Sequence, residues 1–86
     1  DLEVLSMMTT KFVIEMCHNR LDNMDLYYYR GQAGDEIAGM VPLFDYRKRL
    51  AKRYEFEHEA LRDMSILKAK HRKEDTFRVI PVRCKI

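Results

Sequence analysis

At 86 residues the chain is one small domain, able to bury only about 60–65% of its unfolded surface, so its core is thin. Apolar residues make up 47% and charged residues 35%, the balance of a soluble globular domain, and no apolar run approaches the roughly 18 residues of a membrane span. The net charge of +2 hides a split: residues 1–42 carry three basic and seven acidic side chains, residues 43–86 thirteen and seven, so the second half offers a basic surface to a partner or to the first half.

The opening DLEVLSMM has two acids and no basic region, so it does not read as a secretory signal. Met7 or Met8 can serve as a start, which makes 1–7 upstream or vector-derived sequence on this reading. Cys17 and Cys84 match no CxxC spacing, and a secreted chain of this length would carry a denser disulfide framework. A reduced, cytoplasmic protein with two buried thiols is expected.

TTKFVIEMC (9–17) is β-branched and alternates, with Phe12, Ile14 and Met16 on one side and Val13, Glu15 and Cys17 on the other. It reads as a strand, although Leu5, Met8, Phe12 and Met16 also fit a helical spacing. HNRLDN (18–23) supplies turn residues, and DLYYYR (25–30) reads as a second strand paired with the first in a hairpin. GQAGDEIAG (31–39) holds all three glycines and reads as a loop, with room for one helical turn at its end. PLFDYRKRLAKR (42–53) leaves helix, strand and loop open: Pro42 suits a first helical position, and Leu43, Tyr46, Leu50 and Tyr54 fit a helical stripe.

A helix is predicted over about 57–73. Glu55, Glu57 and Glu59 stand at its approach and first turn, Lys68, Lys70, His71, Arg72 and Lys73 at its end, as the macrodipole favours. Leu61, Met64 and Leu67 are its expected core contacts, with Ile80 and Val82 from the closing strand FRVIPVRCKI (77–86). Pro81 has no amide hydrogen, so that strand belongs at a sheet edge or carries a bulge. The predicted fold is α+β: a three-stranded, mostly antiparallel sheet (about 9–17, 25–30, 77–86) on one main helix, in β-β-α-β order and one domain, 1–86. The alternative is a helical hairpin with a C-terminal strand. On the α+β reading one sheet face is left uncovered, to be polar or to meet a second copy or a partner.

The chemistry-bearing spacings are few. Glu55-x-x-His58 and Glu15-x-x-His18 have the i, i+3 spacing of helical di-metal sites, but the long helices and additional inward glutamates of such sites are missing. Glu55 and His58 are therefore expected to belong to a helix start, and no metal or other cofactor is expected. Cys17 and His18 would point to opposite faces of a strand, and GQAG lacks the lysine and the context of a phosphate loop. No acid, base and nucleophile come together, so the chain is not expected to be an enzyme. The basic run Arg47, Lys48, Arg49, Lys52 and Arg53 and the tyrosines Tyr27, Tyr28 and Tyr29 are the candidate binding residues. As a phosphate-tracking cluster beside stacking rings they would bind nucleic acid. As Arg and Tyr in an interface they would bind another protein. The acids at 55, 57 and 59 interrupt a backbone-tracking ridge, which favours the protein partner. A homodimer through the uncovered face or a sheet edge is a further form of the same reading.

Four stretches together resemble small bacteriophage accessory proteins: the tyrosine-rich DLYYYRG, the approach Ala51-x-Arg53-Tyr54-x-Phe56, the helix start EHEAL and the closing FRVIPV. The resemblance covers about residues 9–84. It implies a phage-encoded protein that docks on and modulates a host protein in the host cytoplasm. The pattern has no common active site, so it implies no site residue.

Overall fold

The structure, a computed structural model, describes residues 8–19, 24–35, 37, 39–71 and 73–85. The expectations placed on 1–7, on the centre of the turn at 20–23, on Arg72 and on Ile86 lie outside the described residues. In chain order the elements are β1 (Met8–Asn19), β2 (Met24–Asp35), β3 (Gly39–Asp45), a 3-10 turn (Lys48–Leu50), α1 (Glu57–Lys70) and β4 (Asp75–Lys85). The strands form one antiparallel sheet in the order β3-β2-β1-β4. No helix among the described residues is long and apolar enough to cross a membrane.

The α+β class and the three predicted strands hold, and the helical hairpin does not. The correction is a fourth strand, which makes the order β-β-β-α-β. The glycine stretch predicted as a loop instead prolongs β2 to Asp35 and begins β3 at Gly39. Gly34, at φ 140°, and Gly39, at φ 83°, allow the tight reversal between them, because L side chains rarely adopt such backbone. The carbonyl oxygen of Gly39 lies 2.0 Å from where a Cβ on Gly34 would sit. Of the alternatives left open for 42–53, Pro42 takes the strand: it sits inside β3, an edge strand. Pro81 lies in β4, the other edge, where the sequence argument placed it.

α1 starts with Glu57 and Glu59 and ends with Lys68 and Lys70, three residues earlier than predicted. It buries Ala60 and Leu67 against Ile14 and Met16 of β1, Tyr29 of β2, Tyr54 and Phe77, with Phe12, Tyr27, Phe44, Met64 and Val79 packed around them. Leu61 is 41% exposed and is not a core residue. The predicted β4 contacts are also corrected. Register pairs Phe77 with Met16 and Val79 with Ile14, so these face the helix, while Ile80 pairs with Val13 and Val82 with Lys11 on the opposite face.

The sheet forks. β4 follows β1 from Met8 to His18, but β2 pairs with β1 only from Glu15 to Asn19. Past Tyr28 the β2–β3 hairpin swings away, helped by an extra residue, Arg30, at a register shift between Tyr29 and Gly31. The segment after the 3-10 turn fills the gap. The Lys52 amide donates to the Tyr29 carbonyl at 2.8 Å, and Tyr54 exchanges backbone hydrogen bonds with Phe12 at 2.8 and 2.9 Å. Residues 51–54 thus form a wedge that satisfies backbone groups the fork would leave without partners.

Candidate functional site

The sheet face that α1 does not cover carries a polar row across all four strands. Arg78, Glu15, Tyr28 and Asp45 are successive cross-strand partners. The Arg78 guanidinium donates to Glu15 Oε1, and the Tyr28 hydroxyl donates to Glu15 Oε2 at 3.2 Å. Glu15, only 5% exposed, is therefore a satisfied buried carboxylate. Burial first, then the bond to Glu15, raises the Tyr28 pKa. At the other end Asp45 accepts from the Arg47 amide at 2.8 Å and from Arg47 Nε and Nη2 at 3.0 Å, with Arg30 Nη1 at 3.4 Å. The Arg47 bonds hold the Asp45 pKa down at about 2.

Beside this row lies exposed apolar surface. Leu43 and Val41 share the side of β3 that carries Asp45, and Leu26 shares the side of β2 that carries Tyr28; all three are exposed. Ile37, at the hairpin tip, is 100% exposed, and Tyr46 is exposed with the Arg47 guanidinium 5.6 Å from its ring centre.

The predicted basic run does not act as one cluster. Arg47 is folded onto Asp45. Alternation along the extended wedge then sends Lys52 and Tyr54 to the helix side and Arg53 to the other. Lys52 Nζ lies 4.9 Å from the Tyr54 ring centre and 3.8 Å from Asp63 Oδ2. It borders a cleft of about 240 Å³ with Tyr29, Gln32, Asp63, Ile66 and Leu67. Lys48, Arg49 and Arg53 line a second cleft with Val13, Val82 and Cys84 of the opposite face, and Arg83 of β4 borders it from the strand edge, its register partner Thr10 lying on the side of Phe12. Arg83 was not among the sequence candidates; only the fold brings it next to the run.

The predicted tyrosines separate as well. Tyr29 is 3% exposed within the core and presents no stacking surface, and Tyr27 is partly buried against the same cluster. Burial raises the Tyr29 pKa. Glu55 precedes the helix and does not share a helical face with His58, whose ring stacks on Phe56 at 5.6 Å. Glu15 and His18 point to opposite faces: His18 Nδ1 is bonded to Asp75 Oδ1 at 2.6 Å. His71 approaches Asp75 Oδ2 at 3.7 Å and lies edge-on to Phe44 and Phe77. Among the described residues no group of three His, Cys, Asp or Glu side chains is placed to hold a metal ion. Sequence spacing gave no sign of the His18–Asp75 pair, because 57 positions separate them.

No family model, no curated protein and no solved structure matches this chain.

Proposed function

We propose that the chain is a non-enzymatic protein-binding module that docks through the sheet face left open by α1. The observation that carries this reading is the exposure of Leu26, Val41 and Leu43 together on that face, bordered by Arg30 and Arg47. Exposed apolar surface beside a charged rim is the composition of a contact patch. Among the described side chains of the face, the two acids, Glu15 and Asp45, are already engaged by arginines, so the charge left among those side chains is positive. A protein with acidic side chains around an apolar patch therefore fits, and steering by unlike charge speeds its arrival. A second copy fits less well: a two-fold contact would set this basic border against itself. Edge pairing is disfavoured too, since each free edge contains a proline, Pro42 in β3 and Pro81 in β4. A phage-encoded modulator acting on a host protein in the host cytoplasm is the setting that the sequence pattern implies. Nucleic acid is the second reading, and the burial of Tyr29, with Tyr27 partly buried beside it, counts against it.

The test is photo-crosslinking in cells of the native host, with a photoreactive residue at position 43 or, on the helix, at 66. A partner is expected from 43 alone, with an acidic crosslinked surface. Purified, that partner should bind the chain, lose affinity on Leu43→Asp and keep it on Ile66→Asp. Equal crosslinking from both positions, a self-crosslink, or binding indifferent to Leu43→Asp would overturn the reading.

A further inference from the structure

The second cleft gathers basic residues of β4, of the 3-10 turn and of the wedge after it. It measures about 440 Å³ and is lined by Lys48, Arg49, Arg53 and Arg83 together with Val13, Pro81, Val82 and Cys84. Four basic residues border one concavity, Arg83 from the strand edge, and among the described residues no carboxylate lines it. None of the four belongs to an ion pair among the described residues. The nearby basic residues differ in this respect: Arg47, Lys52 and Arg78 each have an acid of their own. Like charges gathered in a cleft reinforce one another's potential, and the low-dielectric wall focuses it.

We infer that this cleft is a binding site for a small organic phosphate, a molecule of nucleoside-phosphate size. The guanidinium forks of Arg49 and Arg53 and the Lys48 ammonium, with the positive field of Arg83 at the strand edge, match the several oxygens and the double charge of a phosphate better than a single carboxylate. The volume lies within the roughly 300–1,000 Å³ of small-molecule sites, larger than a bare phosphate requires. Val13, Pro81 and Val82 supply an apolar wall for the rest of the molecule. A nucleic-acid strand fits less well, because the cations border a pocket instead of following a ridge, and of the predicted stacking rings Tyr27 and Tyr29 pack on the other side of the sheet while Tyr28 is bonded to Glu15. The inference does not depend on the docking surface, which uses Leu26, Val41 and Leu43.

Cys17 and Cys84 are only partly buried, not the buried thiols predicted, and Cys84 lines the cleft and reports on its occupancy. In a Cys17→Ser background, the rate of Cys84 alkylation by iodoacetamide is followed against inorganic pyrophosphate, ADP and a single-stranded oligothymidylate, at about 0.15 M salt and matched ionic strength. Calorimetry on the unaltered chain runs alongside, so a poorly folded Cys17→Ser protein does not block the answer. ADP is expected to protect Cys84 about threefold or more, saturably and below about 1 mM, and more tightly than pyrophosphate. Arg49→Gln with Arg53→Gln should abolish the effect and leave the circular dichroism unchanged. No saturable binding of either phosphate below about 10 mM, or saturation that survives both substitutions, would overturn the inference. Pyrophosphate binding as tightly as ADP would reject the organic body. Protection by the oligonucleotide alone would give the cleft to nucleic acid.

Discussion

Replacing Tyr54 by phenylalanine removes one oxygen and tests whether the wedge is fastened to the helix. The Tyr54 hydroxyl donates to Asp63 Oδ2 at 2.6 Å, and the residue is 5% exposed. A hydrogen bond to a charged acceptor contributes about 1.5–3 kcal/mol. Asp63 keeps 26% of its side chain exposed and has Lys52 3.8 Å away, so water and the ammonium recover part of that. The expected loss is about 1–2 kcal/mol. Tyr54→Ala would not isolate the bond: a cavity there costs about 3–5 kcal/mol, close to the whole stability of a domain this size. A pH signature accompanies the loss. Burial first, and then the bond to Asp63, push the Tyr54 pKa well above the ordinary tyrosine value of 10.0. The folded chain keeps a proton that the unfolded chain releases, so the contribution is complete below pH 10 and declines as the pH rises past it. Urea unfolding followed by far-ultraviolet circular dichroism, at pH 7 and about pH 10.5, reads both effects. Wild type should weaken more than Tyr54→Phe between the two, with Tyr28 and Tyr29, whose pKa values are also raised, leaving a residual slope in the variant. An unchanged midpoint in the variant at pH 7, or equal alkaline slopes, would refute the reasoning.

Leu67→Ala should cost about 2–4 kcal/mol in urea unfolding and Leu61→Ala less than about 1, since Leu67 lies in the core and Leu61 is largely solvated; equal losses would misplace the helix face. Gly34→Ala combines a φ of 140° with a backbone oxygen 2.0 Å from the new Cβ, so it should cost about 2 kcal/mol or more and broaden the amide signals of the β2–β3 hairpin; a neutral result would exclude this turn. The depressed Asp45 pKa implies stability that is complete above about pH 4 and lost as the pH falls toward 2, so Asp45→Asn should flatten the acid limb of a stability–pH curve; an unchanged limb would mean that Arg47 does not hold Asp45 in solution.

The elements legible in the sequence were those whose patterns are local. Alternation in 9–17 separated Ile14 and Met16 from Val13 and Glu15, as the structure does. The charge gradient from Glu57 to Lys70 located the helix within a few residues. β3 was missed because glycine and proline usually interrupt structure, whereas here the glycines make a hairpin reversal and Pro42 occupies an edge strand. β4 was found but turned over: Ile80 and Val82 look more like core residues than Phe77 and Val79, and only the register with β1 decides which pair meets the helix. Of the site, the basic run was legible as composition. Its division between the two sides of the sheet was not, since nothing local announces that 51–54 fills a fork.

That fork decides what the positive charge can do. A single exposed helix carrying Arg47 to Arg53 would spread five cations around one cylinder, each open to solvent and none committed. The extended wedge instead alternates its side chains across the sheet plane, so neighbours in sequence meet different surroundings. Lys52 is drawn to Asp63 and the Tyr54 ring, and Arg47 is spent on Asp45, where it also helps fix the turn that starts the wedge. Lys48, Arg49 and Arg53 remain, joined by Arg83 from a strand the run never touches in sequence. The same wedge backbone bonds to Phe12 and Tyr29, so the loop carrying three of these cations is tied to the sheet at two points. A cation held on an anchored backbone loses less conformational entropy on meeting an anion than one on a free loop. Charge that is concentrated, unpaired and anchored suits a defined ligand in one place better than a long polyanion lying across the surface.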